Sequence, residues 1–404
     1  MTPLHVGIDL SPLAFGNLMR GIGIYAENLL TALGEIDRST PYVLFVANSS
    51  PFPSQSITWL EELPPNFRQV MIPMPPLGRA AALISHQVTL PAQVARLGLD
   101  VLHCIDTPSN PSHAGIPLWQ SVPLVVTIHD MIPLILGKQG LLRWRHRLFY
   151  RLMLWASSRA AHLIADSHDT ARQIVGHNLA PQARVTVAPL AAPRFTAPKR
   201  DKPCQRSTAL ADSMAWPFIL HVGTADPSKN QQAVLKAFAW LCKDPGFQHR
   251  LILLGSHHCS DDIATSLEPR AAGRIMRLSN LPRADVRDLY QACTAFLFPS
   301  YYEGFGLPVL EAMSCGCPVV ASSIPVIAEV AGDAALLVAP DDWEGLAGAV
   351  RNLLQDRALH DRYVEAGFRR AQQFSWSQTA QITREVYERT AFYSKRSRHG
   401  MQTV

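Results

Sequence analysis

The chain has no stretch of about 18 uninterrupted apolar residues, the length that a membrane-spanning helix needs. Its opening, MTPLHVGIDLSPLAFG, lacks the basic region and following apolar run of a secretory leader, so a cytoplasmic location is expected. Cysteine is sparse: there are seven, no CxxC occurs, and the nearest two, Cys315 and Cys317, bracket a single glycine. Such spacing argues against a disulfide framework or a thiolate metal site and reads as reduced thiols. Charge is scarce as well, at 17% of residues against 48% hydrophobic, and low-complexity tracts are missing, which excludes a disordered chain. A formal net charge of only +5, without a recognition motif, gives no support to nucleic-acid binding.

What is present is alternation. Short β-rich apolar runs (HVGIDL, YVLFVAN, VLHCI and PLVVTIHD, then FILHVG, RLILLG, RIMRL, AFLFPS, PVVAS and ALLVA) are separated by longer segments with helical periodicity. Nearly continuous apolar strands between helices are what a parallel sheet requires, because helices cover both of its faces. A length of 404 residues exceeds the roughly 250–300 residues that one core sustains. The predicted fold class is therefore α/β, with two Rossmann-like doubly wound parallel-sheet domains facing a central cleft. Residues 193–217 are rich in Pro, Ser, Thr and charge and lack periodicity, which marks the boundary. The expected organisation is a first domain at 1–195, a linker at 196–215, a second domain at 216–374, a helix at 375–394 crossing back to the first domain, and a basic tail at 395–404. Open α/β sheets bind ligands beyond the carboxyl ends of their strands, so functional residues are sought in the loops there.

One such loop carries an unusual pattern. In YYEGFGLPVLEAMSCG, residues 301–316, Glu303 and Glu311 stand eight positions apart around Gly304-Phe305-Gly306. TAFLFPS predicts a strand before it. LPVLEAMSCG predicts a helix, with Pro308 in a first turn where its missing N–H costs nothing and Gly316 at the stop. Two glycines let backbone N–H groups approach a ligand closely, and the helix start adds the positive end of its dipole, a combination suited to a diphosphate. Carboxylates there suit hydroxyl pairs instead. A ligand with hydroxyls on either side of a diphosphate is a nucleotide sugar. The plainer alternative is that Glu311 caps its helix and Glu303 is solvated.

This stretch resembles the EX7E motif of the retaining glycosyltransferases of family 4, which adopt the GT-B fold. The resemblance continues through SNLPRADVRDLYQACTAFLFPS to PVIAEVAGDAALLVAPDD, and recurs from GIGIYAENLLTAL to FSWSQTAQITREVYERT, so it covers nearly the whole chain. It implies that Glu303 lies by the transferred sugar, that Glu311 hydrogen-bonds the ribose, and that the backbone at Phe305, Gly306 and Leu307 contacts sugar and phosphate. Similarity to bacterial mannosyl- and rhamnosyltransferases of this family implies hexose transfer in lipopolysaccharide or capsule assembly, onto a glycan or lipid-linked glycan. GDP-mannose is the expected donor, with GDP-rhamnose or a UDP-sugar as alternatives. By the same resemblance no metal and no cofactor besides the donor substrate is expected.

FILHVGTADPSKNQQAVLKAF leaves a strand at Gly223 and enters a helix near Asn230. Lys229 at that helix start would set a point charge on a diphosphate leaving group; an ordinary solvated lysine is the alternative. The family commonly carries an Arg and a Lys here, whereas Thr224 and Ser228 stand where the Arg is often found and Lys229 alone remains. Thr224 is counted with the donor-binding set. In the first half, PLVVTIHDMIPL ends a strand with His129 and Asp130. A lone His at a strand end is usually structural, but the resemblance makes His129 the histidine that contacts the transferred hexose. Residues Gly21 to Ala26 match a GxGxxA dinucleotide fingerprint formally. However, ten residues separate them from Leu10, and the next strand, YVLFVANSS, ends without an acid for a ribose. The resemblance implies instead a glycine loop whose backbone around Gly23 closes on the donor phosphate.

The positive excess lies in the first half: residues 1–215 hold 18 Lys and Arg against 13 Asp and Glu, while residues 216–404 hold 19 of each class. Within it, residues 137–160 interleave six Lys and Arg with Trp144, Leu148, Phe149, Leu152, Met153 and Trp155, and no acid occurs between Asp130 and Asp166. Arg143, Trp144, Arg145 and Arg147 are thereby candidates to meet an anionic membrane surface at the cytoplasmic face, or a phosphate-bearing lipid acceptor. The alternative is a helix whose apolar side packs on the sheet and whose basic side is solvated. Two rival functions stay open. A GT-B epimerase or phosphorylase would need a further acid/base pair or a pyridoxal-bearing lysine, for which no motif is present; the other rival is a non-catalytic scaffold or binding protein of this fold.

Overall fold

The structure is a computed structural model in which residues 4–15, 21–48, 58–73, 83–108, 115–138, 143–193, 214–224, 226–255 and 269–400 are described. The chain divides into two units, Met1–Leu190 with Ser375–Val404, and Ala191–Phe374. Most of the expected linker at 196–215 lies outside the described residues.

The first unit contains β1 (Val6–Asp9), β2 (Tyr42–Asn48), β3 (Phe67–Pro73), β4 (Val101–Cys104), β5 (Leu124–Ile128), β6 (His162–Ala165) and β7 (Val185–Val187). They form a parallel sheet in the order β3-β2-β1-β4-β5-β6-β7. Its helices are α1 (Gly21–Ile36), α2 (Leu90–Arg96), α3 (Ile132–Lys138), α4 (Trp144–Ser158) and α5 (His168–Gly176). The second unit contains β8 (Phe218–Val222), β9 (Arg250–Leu254), β10 (Ile275–Leu278), β11 (Ala295–Phe298), β12 (Val319–Ser322) and β13 (Ala335–Val338), parallel in the order β10-β9-β8-β11-β12-β13. Its helices are α6 (Gln231–Leu241), α7 (Pro269–Ala272), α8 (Arg283–Ala292), α9 (Leu307–Ser314), α10 (Pro325–Ala331), α11 (Trp343–Gln355) and α12 (Arg357–Ala371).

Strands β1, β4, β5, β6, β11 and β12 are buried at every position, as strands covered on both faces must be. Each unit has its own core, around Phe45, Leu102, Val126 and Leu163 in the first and around Ile219, Phe238, Leu253 and Leu297 in the second. Three strands are not legible as apolar runs. β3 is an edge strand with several exposed positions and β7 is only 3 residues long, while β6 is a fully buried strand of 4 residues, like β1 and β4.

A final helix, α13 (Trp376–Gly400), belongs to the first unit and packs along α1. It runs past the expected end at 394, as far as Gly400. Gly400 is the first glycine or proline after Trp376, and Lys395 pairs with Asp100 at 2.8 Å. Tyr387 Oη meets Nδ1 of the buried His103 at 2.7 Å, and Nε2 of that ring meets Thr127 Oγ1 at 2.8 Å. Burial pulls the His103 pKa down to about 3, so this ring is a neutral structural bridge from α13 to the sheet. Cys104, Cys242, Cys293, Cys315 and Cys317 are free thiols. No described helix is long and apolar enough to cross a membrane.

Candidate functional site

In the second sheet the chain runs outward from β8 through β9 to β10, then returns to the other side of β8 as β11. The strand order thus reverses between β8 and β11. At such a point the loops leaving the two strands turn to opposite faces and open a crevice beyond their carboxyl ends. Lys229 stands in the loop after β8 and Glu303 in the loop after β11, and they meet: Lys229 Nζ lies 2.8 Å from both Oε1 and Oε2 of Glu303. The carboxylate is nearly enclosed, at 8% side-chain exposure against 22% for the lysine. An ammonium has three N–H donors. With two directed at Glu303, one remains for an incoming anion.

Local sequence chemistry explains why the lysine is held there. Asp226 accepts from the Ser228 amide at 2.8 Å and caps the short turn Pro227–Lys229, whose proline has its φ set for a first-turn position. Asn230 follows in the left-handed region, at φ 49°, a conformation that asparagine tolerates better than most residues. Its side-chain oxygen caps α6 at Ala233 N, while its amide donates to Pro299 O at 3.0 Å and Pro340 O at 2.7 Å. One buried side chain therefore ties the loops after β8, β11 and β13 together. The Tyr301 amide also donates to Ser228 O at 2.8 Å, so the lysine loop and the glutamate loop are joined by backbone as well.

The Gly304–Gly306 turn leads into α9. Gly306 has φ 90°, and a Cβ there would lie 2.4 Å from Ile327 Cδ1, so both conformation and space demand glycine. Phe305 is buried with its ring edge-on to Phe374, centroids 5.9 Å apart, and Leu307 is buried as well. At the other end Cys317 N donates to Ala312 O and Gly316 N to Met313 O, with Gly316 at φ 78°, which closes the helix as a Schellman motif. Glu311 is buried one turn into α9, where Tyr290 Oη donates to its Oε2 at 2.9 Å. Burial raises its carboxyl pKa; the tyrosine and Arg283 pull the other way. Glu311 is thus neither a cap nor a solvated side chain. Thr224 lies in the loop just past β8, whose close pass over Gly255 leaves no room for a Cβ there.

In the first unit, His129 sits just past β5 with both ring nitrogens engaged: Nδ1 with Asp166 Oδ2 at 2.7 Å and Nε2 with Ile105 O at 2.8 Å. Burial opposes a charge on this ring, but the Asp166 carboxylate and the Ile105 carbonyl outweigh it and lift the pKa to about 9. Both N–H groups of the resulting imidazolium donate within the unit. A sugar hydroxyl could reach Nε2 only by displacing Ile105. Burial also lifts neighbouring Asp106 to about 6.

Gly23 is not in a loop. It lies buried in the first turn of α1, because Tyr25, Ala26, Leu29, Leu30 and Leu33 supply the helical apolar period and override the glycines. Arg143 occupies the N-cap position of α4. Asn230, Tyr290 and Asp166 are contributors that the candidate set read from sequence does not include. Asn230 carries a signal, since it follows D-P-S-K at a helix start. Tyr290 and Asp166 carry none, because their partners are distant in sequence.

Two parallel-sheet α/β units, with an acid-paired lysine and an acid-flanked glycine turn at the switch point of the second, define the GT-B class of glycosyltransferase folds. The family described as Glycosyltransferase Family 4 matches residues 19–192 and the one described as Glycosyl transferases group 1 matches residues 212–370. The chain belongs to this family of glycosyltransferases. Over 178 residues it is 38% identical to the O-antigen chain mannosyltransferase B of Escherichia coli, a match covering 43% of this chain and 47% of that protein. Over 288 residues it is 27% identical to the serotype-specific mannosyltransferase WbdA of Escherichia coli, covering 67% of this chain and 34% of that protein. The matches thus span about half of the first relative and a third of the second. In fold it is similar to the sucrose-phosphate synthase of Thermosynechococcus elongatus, with a TM-score of 0.71 at 20% identity, over 96% of this chain and 98% of that one.

Proposed function

We propose that this chain transfers a hexose from a nucleotide-diphosphate sugar to a glycan or lipid-linked glycan, with retention at the anomeric carbon and without a metal. The observation that carries this reading is the Lys229–Glu303 pair across the strand-order reversal of the second unit, beside a glycine turn opening a helix. The remaining N–H of Lys229 and the backbone of Phe305, Gly306 and Leu307 take the diphosphate. Glu303 accepts from hexose hydroxyls and Glu311 from the ribose. In the transfer the bond from the anomeric carbon to the β-phosphate oxygen breaks with its electron pair going to the diphosphate, and the acceptor oxygen bonds to the same face of that carbon. The acceptor proton passes to the departing phosphate oxygen. Lys229 and the helix start stabilise the charge that grows there. The two Escherichia coli relatives, both mannosyltransferases and one of the O-antigen chain, support mannose as the hexose and O-antigen polysaccharide as the product class; GDP-mannose is our proposed donor. His129 belongs to this reading as a charge held near the hexose, and attachment to the cytoplasmic face of a membrane as the way a lipid-linked acceptor is met.

The test is a thermal-shift screen with GDP, UDP, GDP-mannose, GDP-rhamnose and UDP-glucose, since a ligand of the folded state raises its apparent stability by mass action. GDP-mannose should give the largest shift, and Lys229→Ala and Glu311→Ala should remove it. Absence of any shift across the series would favour a binding scaffold of this fold instead.

A further inference from the structure

We infer that the cavity between the end of α13 and the amino-terminal edge of the first sheet binds a small phosphate monoester with a hydroxylated body, such as a hexose phosphate. The cavity measures about 440 Å³, and Pro123, Ala161, His162, Arg184, Arg389 and Ser394 are among the residues lining it. Pro123 and Ala161 immediately precede β5 and β6, and Arg184 immediately precedes β7. The cavity therefore lies at the opposite end of these strands from His129 and Asp166, which follow β5 and β6. Its size is that of a small-molecule site, about 300–1,000 Å³.

Three elements bring nitrogen donors to this space. His162, on β6, is only 6% exposed. Its Nε2 lies 2.8 Å from Thr186 Oγ1 and 3.4 Å from the Arg389 guanidinium. A guanidinium can only donate, so Nε2 is the acceptor of the ring and Nδ1 carries the proton. Burial, reinforced by the charges of Arg389 and Arg184, pulls the ring pKa down to about 4 and keeps it neutral. Nδ1–H has no protein partner among the described residues, and an unpaired donor on so buried a side chain is costly. Arg389 also donates to Thr186 Oγ1 at 3.0 Å, and Arg184 donates to Ser158 O and Ala160 O through one terminal nitrogen. A guanidinium has five N–H groups, so both arginines keep donors to spare.

The charges select the ligand. No carboxylate lines the cavity, and neither arginine pairs with an acid among the described residues. Two cations thus flank one neutral ring without a countercharge, and an anion supplies it. Donors from three directions fit the three oxygens of a phosphate monoester better than the two of a carboxylate. The space exceeds what a phosphate group alone fills. Thr390 and Ser394 stand one turn apart on α13 and line the same cavity, so their hydroxyls meet a hydroxylated body. A bound ester bridges α13 to β6 and to the turn before β7. The site is argued from the first unit alone and does not depend on the donor chemistry.

The experiment is calorimetric titration of the full chain with glucose 6-phosphate, glucuronate, glucose and inorganic phosphate at ~0.1 M salt, with amide hydrogen exchange followed by mass spectrometry. Glucose 6-phosphate should bind at least about tenfold more tightly than glucuronate or inorganic phosphate, and glucose should not bind. Exchange should slow at residues 182–187 and 386–394, which tests the site in the parent protein without any variant. Arg389→Gln should lower the affinity for the ester at least about tenfold, and Arg389→Lys, which keeps the charge but not the fork, should lower it less. Thr390→Val/Ser394→Ala should weaken the ester but leave inorganic phosphate unchanged. No binding of glucose 6-phosphate, glucuronate binding as tightly as the ester, or Arg389→Gln binding like the parent overturns the proposal. So does slowed exchange confined to residues 226–231 and 301–311, which would place the ester in the second unit's crevice.

Discussion

Removing Lys229 alone should cost more stability than removing its charge together with that of Glu303. Both oxygens of this carboxylate face the lysine ammonium at 2.8 Å, and the carboxylate is 8% exposed. Truncating one partner of a fully buried pair costs roughly 3–5 kcal/mol, because the other charge stays desolvated. Lys229 is 22% exposed, so water moderates the loss, and about 2 kcal/mol is expected for Lys229→Ala. For a domain of 150–250 residues that lowers the melting temperature by about 4–8 °C. Lys229→Ala/Glu303→Gln removes the stranded charge and should recover at least half of the deficit. Binding should behave differently: both variants lose the diphosphate cation, so GDP affinity falls at least about tenfold in each. Glu303→Gln alone frees the ammonium, so GDP should bind as well as in the parent or more tightly while transfer to acceptor collapses. Differential scanning fluorimetry and calorimetric GDP titration of the four proteins decide this. If Lys229→Ala melts with the parent, or if Glu303→Gln weakens GDP, the lysine is not shared between carboxylate and diphosphate.

Asn230→Ala removes one cap and two loop-bridging bonds and forces alanine into the left-handed region, at about 3 kcal/mol in urea unfolding; Asn230→Asp keeps the cap but turns a buried carboxylate oxygen toward Pro299 O and Pro340 O, and should lose at least as much at neutral pH. Gly306→Ala should weaken GDP binding and stability together. Adding Ile327→Ala should restore only part of both, since it removes the clash at 2.4 Å but not the strain of φ 90°. The His129 pKa is raised from 6.5 to about 9, so its pairing stabilises the first unit fully below pH 6.5 and the benefit is lost as pH rises to about 9. Urea titrations from pH 6 to 9.5 should show that slope, of order a few kcal/mol, and Asp166→Asn should flatten it; an unchanged slope in that variant would locate the titration elsewhere.

The two-sheet architecture is legible because parallel strands buried on both faces write themselves as apolar runs, and ten of the thirteen strands do so. The edge strand β3 and the three-residue β7 escape this reading, since neither length nor periodicity separates them from loops; β6 has the length and burial of β1 and β4, so shortness does not account for it. The end of α9 is equally legible: Pro308 and Gly316 have conformational requirements that their positions announce, and the structure uses both as first-turn and stop residues. Gly23 misleads because a helix tolerates glycine in its first turn when the residues that follow carry the apolar period.

Local chemistry therefore determined the elements, the glycine turn and the carboxylates around it, since propensity, capping and periodicity act over a few residues. Only the tertiary structure decided partners. Lys229 and Glu303 are 74 positions apart, Tyr290 and Glu311 are 21, and His129 and Asp166 are 37. Strand order brings such residues together, and strand order depends on which crossovers bury the most apolar surface. The same packing turned Trp144, Leu148, Leu152 and Trp155 outward, because the core side of α4 was already filled by Tyr150, Met153 and Leu154.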